Sequence, residues 1–234
     1  MSFESITNVI LLSLAPYQEE PNHSILQVFT SNGKISMIAQ GVNKPNSKNK
    51  SNLQVGGVIQ FTYFKARLNG KMSKLKKANL QKQIDILDYN NALFVKKIIL
   101  YLHHIEEKFY NAYRFYNELF DFISLNKNSY LMTFFVANTL ISFGLQISIK
   151  GCVECKSINN ICDFSFKEGG FLCDIHKIND KKIGLLKSHF YLFTNLANYI
   201  ENTTPEENKQ IYLELLKLLM NNGIFVDWEE FKKS

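Results

Sequence analysis

Ser24-Ile25-Leu26-Gln27-Val28-Phe29-Thr30-Ser31-Asn32-Gly33-Lys34-Ile35-Ser36-Met37-Ile38-Ala39 is the stretch on which the fold turns. Two apolar-rich runs flank Ser31-Asn32-Gly33-Lys34. That tetrapeptide reads as a hairpin turn, with Asn-Gly supplying positive φ. Upstream, Val9-Ile10-Leu11-Leu12 is a first strand. The ten mostly apolar residues Ile6 to Ala15 around it lack the basic leader of a secretion signal, since the first ionisable side chain is Glu4. Downstream, Val55 to Ala66 is a fourth strand, with a bulge expected at Gly56-Gly57, and Lys74 to Leu80 is a fifth. Five short strands at regular spacing make a small barrel or sandwich, and their number suits an OB-type barrel.

Past residue 88 the apolar period becomes helical. Leu93, Phe94, Ile98, Leu102 and Ile105 recur at helical spacing, as do Phe109, Tyr113, Tyr116, Leu119, Phe120 and Ile123. Asn128 to Ile149 carries no charged residue, and its 22 residues match a membrane span in length. Asn128, Ser129, Thr133, Asn138, Thr139, Ser142, Gln146 and Ser148 load it with polar groups. It therefore reads as a buried core helix centred on Leu131 to Leu145. Residues 183 to 231 return to helix. Thr204 is an N-cap there, with Pro205 at the first helical position, Glu207 three residues on, and Gly223 as the stop.

The whole is an α+β protein: an N-terminal OB-fold β-barrel followed by an α-helical domain carrying a zinc knuckle. The expected divisions are 1–82 for the barrel, 83–150 and 179–234 for the helical parts, and 151–178 for the knuckle. At 234 residues, 46% hydrophobic and 21% charged, the chain excludes wholesale disorder, and four cysteines are too few for a secreted disulfide scaffold. A soluble cytoplasmic protein without membrane partners is the expectation.

Cys152 and Cys155 form one C-x2-C pair. Cys173 and His176 form a C-x2-H pair downstream. Two such pairs on tight turns bring four borderline-soft donors into a tetrahedron, the arrangement of one structural zinc ion. Phe164-Ser165-Phe166, Glu168-Gly169-Gly170 and Phe171-Leu172-Cys173 read as strand, turn and strand between the pairs. Cys162 competes for the fourth position, but Asp163 beside it places it in a strand, which favours His176. A full four-ligand set leaves no open position for a catalytic water. No nucleophile elbow, phosphate loop, dinucleotide fingerprint or H-E-x-x-H occurs, so a non-enzymatic protein is expected and a zinc hydrolase is the weakest alternative.

Charge is strongly segregated. Lys34, Lys44, Lys48, Lys50, Lys65, Arg67, Lys71, Lys74, Lys76, Lys77 and Lys82 fall in a block, 34 to 82, that contains no Asp or Glu. The chain's net charge is +6, so everything outside the block is net acidic. Such a footprint suits phosphate backbones and strongly salt-dependent binding. Phe61, Tyr63 and Phe64 interleave with it. Alternation puts Phe61, Tyr63 and Lys65 on one strand face, where an exposed Tyr would stack bases. The candidate contact residues are Lys34, Lys44, Lys48, Lys50, Tyr63, Lys65, Arg67, Lys71 and Lys74.

Three stretches resemble the RecO family. Val28 to Val42 is similar to its early "FT…G…A-K-G" hairpin. Arg67 to Leu80, including Leu75, is similar to its "L…L…E" strand. Cys152-Val153-Glu154-Cys155 with Phe164 to Cys173 is similar to its knuckle, preceded by a comparable helix from Phe134-Phe135 to Gly144-Leu145. The likeness runs in order over nearly the whole chain. It departs at His176, where the family commonly has Cys, at Asn79 or Gln81, where a glutamate is usual, and in a basic loop rich in lysine rather than arginine. The resemblance implies a DNA repair and recombination mediator that binds single- and double-stranded DNA. It further implies strand annealing, partnership with RecR and single-stranded DNA-binding protein, help in loading RecA, and a place at the nucleoid. The residues themselves leave DNA versus RNA open, and an RNA-binding protein associated with the ribosome or tRNA is the alternative.

Overall fold

Strand β1 (Glu4–Pro16) shows why a strand can read as an unbroken apolar run. Val9 and Leu11 point into the barrel core, while Ile10 and Leu12 point the other way and are buried as well. A strand covered on both faces needs no polar alternation. In this computed structural model, which describes residues 4–66, 71–105, 110–123 and 127–224, β2 (Ser24–Thr30) and β3 (Gly33–Ala39) follow as a hairpin. Its two-residue loop is Ser31-Asn32, and Gly33, with φ +96°, supplies the positive φ expected of the turn. Then come β4 (Val58–Phe64) and β5 (Ser73–Lys82).

The strands close into a barrel in the order β1-β2-β3-β5-β4, with β4 paired back to β1. All pairings are antiparallel except a short parallel contact of β3 with β5. Val9, Leu11, Leu26, Val28, Met37, Ile59 and Phe61 fill the core. The expected bulge is not at Gly56-Gly57, which lie in the turn before β4. Register shifts occur instead within the β4–β5 ladder and at Leu12 of β1.

Helix α1 (Tyr89–His104) begins at Asp88, whose carboxylate accepts the Asn91 N–H. Helix α2 (Tyr110–Leu119) packs against β2, and the buried Tyr116 hydroxyl donates to the Gly56 carbonyl. Both helices belong to the barrel's compact unit. The described chain divides between Asp121 and Phe122, well past the end of the last barrel strand at Lys82.

The second unit is built around α3 (Asn128–Thr139), buried on nearly every side. Its uncharged sequence follows from that. Thr133 and Thr139 satisfy their hydroxyls on the carbonyls of Ser129 and Phe135, and Asn138 donates across to Leu192. A short 3-10 turn, Leu140–Phe143, ends it at Gly144, so the helix is shorter than expected. Among the described residues no helix is long and apolar enough to cross a membrane.

Strands β6 (Ile161–Ser165) and β7 (Gly170–Cys173) form a small hairpin. Helices α4 (Ile183–Thr194), α5 (Leu196–Asn202) and α6 (Pro205–Asn221) complete the unit. Thr204 forms a full capping box with Glu207, as its sequence context requires.

One polar cluster binds α6 to α4 and to the segment before it. Glu214 lies 3.3 Å from Lys181 Nζ, accepts from Gln210 at 3.0 Å, and stands 3.9 Å from Nε2 of the fully buried His189. Burial alone would raise the Glu214 carboxyl, but these neighbours outweigh it and bring it down to about 2. Its folded value lies below its unfolded one. The stability it contributes is therefore complete above about pH 4.5 and disappears as pH falls toward 2. Glu214→Gln should lower the melting temperature at pH 7 and flatten its fall between pH 4.5 and 2.5. Parallel pH curves for the two proteins in thermal melts would refute the assignment.

Candidate metal centre and nucleic-acid interface

The β6–β7 hairpin brings the two ligand pairs together. Its path needs a glycine at position 170, where φ is +147° and a Cβ would lie 2.1 Å from the Ser148 carbonyl oxygen. Val153 N–H bonds to the Phe171 carbonyl, joining the Cys152–Cys155 turn to β7. Lys156 adopts the left-handed conformation just after the turn, at φ +64°, and its ammonium reaches back to the Val153 carbonyl. The second turn is closed by His176 N–H on the Cys173 carbonyl.

The donor atoms of Cys152, Cys155, Cys173 and His176 all lie within 4.8 Å of one another. Cys155 and Cys173 sulfurs are 3.7 Å apart, and Nδ1 of His176 is 3.3 Å from Cys173 and 3.7 Å from Cys152. A tetrahedral ion with metal–sulfur bonds of about 2.3 Å and metal–nitrogen bonds of about 2.0 Å has edges of roughly 3.5–3.8 Å. Two of these contacts, at 3.7 Å, match that edge and the third is slightly shorter, while the whole set lies within 4.8 Å; the cysteines are free thiols.

The electrostatics match. Burial opposes ionisation of Cys152, yet the backbone N–H groups of Cys155, Cys173 and Glu154 bring its thiol down to about 6. The His176 ring lowers Cys173, and Cys173 in turn raises His176. Cys155 is raised: the Ser157 backbone favours its thiolate, but burial and the neighbouring sulfurs prevail. Two thiols held below their ordinary value beside a third thiol and an imidazole form a donor set that could hold a cation.

Cys162 lies outside the cluster, half-buried in β6, with its thiol raised by burial. Sequence reasoning missed the role of its neighbour Asp163. That buried carboxylate accepts the N–H groups of Ile178 and Asn179, holding the chain just after His176. A lone acid in an apolar strand was the available signal. Phe164 of β6 lies 4.2 Å, centroid to centroid, from His189 of α4, which anchors the hairpin to the helices.

The basic block sorts into engaged and free cations. Lys34 donates to the His103 carbonyl at 2.7 Å, at the C-terminus of α1. It tethers the end of that helix while its side chain stays exposed. Burial and then this ammonium lower both His103 and His104. Lys76 pairs with Glu4, and Lys82 donates to the Asn117 carbonyl. Lys44, Lys48, Lys50, Lys65, Lys71, Lys74 and Lys77 are exposed, with no ion pair among the described residues.

Lys77 is an addition to the expected set, and Arg67 lies outside the described residues. Lys74 and Lys77 sit opposite Phe64 and Thr62 on the outer face of the β4–β5 ladder. Tyr63 shares the face of Phe61, as alternation requires, but that face is the barrel interior. Its half-buried ring packs on the core, which leaves it only partly exposed for stacking.

A closed barrel with exposed lysines on its outer face, and a second, helical unit with a Cys3His cluster that could hold a metal ion, define the class of protein. The family model described as Recombination protein O N terminal matches residues 1–84. The DNA repair protein RecO of Mesoplasma florum is 30% identical over 217 residues, covering 87% of this chain and 76% of that protein. The DNA repair protein RecO of Bacillus subtilis is 28% identical over 239 residues, covering 92% and 91%. The chain belongs to the RecO family.

If Cys152, Cys155, Cys173 and His176 are the ligands, the purified chain should hold one cobalt(II) after desalting, and Cys162→Ser should hold the same. Cys173→Ser and His176→Ala should fall well below one ion per chain by elemental analysis. Loss of the ion in Cys162→Ser would overturn the set.

Proposed function

We propose that this chain acts in DNA repair and recombination as a non-enzymatic mediator, binding single- and double-stranded DNA through its barrel. The observation that carries the reading is the set of exposed, unpaired lysines on a RecO-family barrel whose basic block holds no acid. The strand order β1-β2-β3-β5-β4 and the Greek-key-like return of β5 beside β3 support an OB-fold assignment. Lysines along two annealing strands would offset phosphate repulsion, the main barrier to their approach. Annealing then needs no bond-making residue.

The metal is zinc in this reading. Three thiolates and one imidazole in a closed tetrahedron suit it, and it would supply fold stability rather than chemistry. RecR and single-stranded DNA-binding protein are the proposed protein partners, with RecA loading as the downstream outcome and the nucleoid of the cytoplasm as the site of action. The names of the relatives as DNA repair proteins favour DNA over RNA.

Replacing Lys44, Lys48 and Lys50 together with Ala should weaken binding to a single-stranded oligonucleotide. It should also reduce the steepness of log K against log salt by up to about 2, at about 0.7 per phosphate contact. Lys34→Ala should leave that slope unchanged and lower the melting temperature. An unchanged slope in the triple variant would overturn the loop's role. Preferential displacement of DNA by RNA of equal length would overturn the DNA reading in favour of RNA.

A further inference from the structure

Strand β5 has an edge that the barrel ladder leaves open. It pairs with β4 from Lys74 to Lys82, but with β3 only at Ser73 and Lys74. Beyond Lys74, backbone groups facing the β3 side lack a strand partner, and unpaired strand-edge groups must be satisfied some other way.

Two asparagine side chains from the loop after β3 do this. Asn49 Oδ1 accepts the Ala78 N–H at 2.9 Å, and its Nδ2 donates to the Lys76 carbonyl at 3.3 Å. Asn52 Oδ1 accepts the Leu80 N–H at 3.3 Å, and its Nδ2 donates to the Lys48 carbonyl at 3.1 Å. A carboxamide carries the donor and acceptor of a peptide group, so Asn49 stands in for a residue of the missing strand, while Asn52 satisfies one strand N–H and uses its donor to tie the loop to itself. The loop is tied at its start too, where Asn43 Nδ2 donates to the carbonyls of Pro21 and His23.

Asn49 sits between Lys48 and Lys50, and a 3-10 turn at Lys50–Asn52 joins it to Asn52. The clamp therefore fixes the backbone that carries these two lysines against the strand that carries Lys74 and Lys77. A solvated lysine loop would pay ordering entropy on binding a polyanion, whereas a clamped one has already been ordered by folding.

We infer that Asn49 and Asn52 are positioning residues of the anion-binding face, holding Lys48 and Lys50 beside Lys74 and Lys77 as one track for nucleic-acid phosphates. This rests on the DNA-binding reading above. Neither side chain carries charge, so their effect on phosphate binding passes wholly through the lysines they place.

The test uses the full chain, a labelled single-stranded oligonucleotide and a sodium chloride series. Four proteins are compared: wild type, Asn49→Ala/Asn52→Ala, Lys48→Ala/Lys50→Ala, and all four substitutions together. The charge-neutral Asn pair should reduce the salt slope by about 1.4, as the Lys pair does, each corresponding to two phosphates at about 0.7. The quadruple variant should show no further reduction, because the Asn effect requires the lysines. Amide exchange at Ala78 and Leu80 should accelerate in the Asn variant. Should the Asn pair fail to fold, Asn52→Ala alone carries the test, with a reduction of about 0.7 expected.

A folded Asn variant with faster exchange and an unchanged slope overturns the positioning role and leaves the DNA reading intact. A wild-type chain without salt-dependent DNA binding overturns the DNA reading and, with it, this inference.

Discussion

A five-stranded barrel has to close, and here it closes through a parallel contact of β3 with β5 that spans two residues on each strand. Parallel pairing is slightly weaker per residue than antiparallel pairing, and a two-residue seam adds little on its own. Its consequence is positional. It sends β5 back along the barrel with one edge uncovered and obliges the β3–β4 loop to run beside that edge. The lysine-rich loop and the lysine-rich strand thereby become neighbours although Lys50 and Lys74 stand 24 positions apart in sequence. Hydrophobic closure of the core and placement of the cations are one event.

The second unit solves a different problem. Its hairpin of nine described strand residues is too small to hold a core of its own. Two devices hold it. The Cys3His cluster joins its turns, and Phe164, with Phe166 and Phe171 edge-on to it, packs on the buried His189 of α4. Asp163 completes the arrangement by accepting the backbone beyond His176. The cluster could hold a metal ion with an imidazole as the fourth donor beside three sulfurs.

Much of this was legible in the residues because it depends on local pattern. Alternation located β2 and β3, two-sided burial explains the run Val9–Leu12, and the absence of charge marked α3 as central. The clustering of Cys152, Cys155, Cys173 and His176 followed from the spacing of two short pairs. What could not be read depends on contacts distant in sequence. Lys34 looks like any hairpin lysine until the end of α1 arrives beside it, and Lys76 looks free until Glu4 pairs with it. Tyr63 fell on the right strand face, but which face is the interior is a property of barrel closure. Asn49 and Asn52 carry no compositional signal at all, since asparagine is common throughout the chain and their importance lies in a strand edge left open elsewhere.

The central claim is that clustered, unpaired lysines on the barrel let this chain bring nucleic-acid strands together without chemistry. The most direct measurement is the annealing rate of complementary DNA strands coated with single-stranded DNA-binding protein, followed across a salt series with metal-loaded protein. The account predicts acceleration at low salt that fades steeply as salt rises. Acceleration insensitive to salt, or none with the fold and the metal intact, would contradict it.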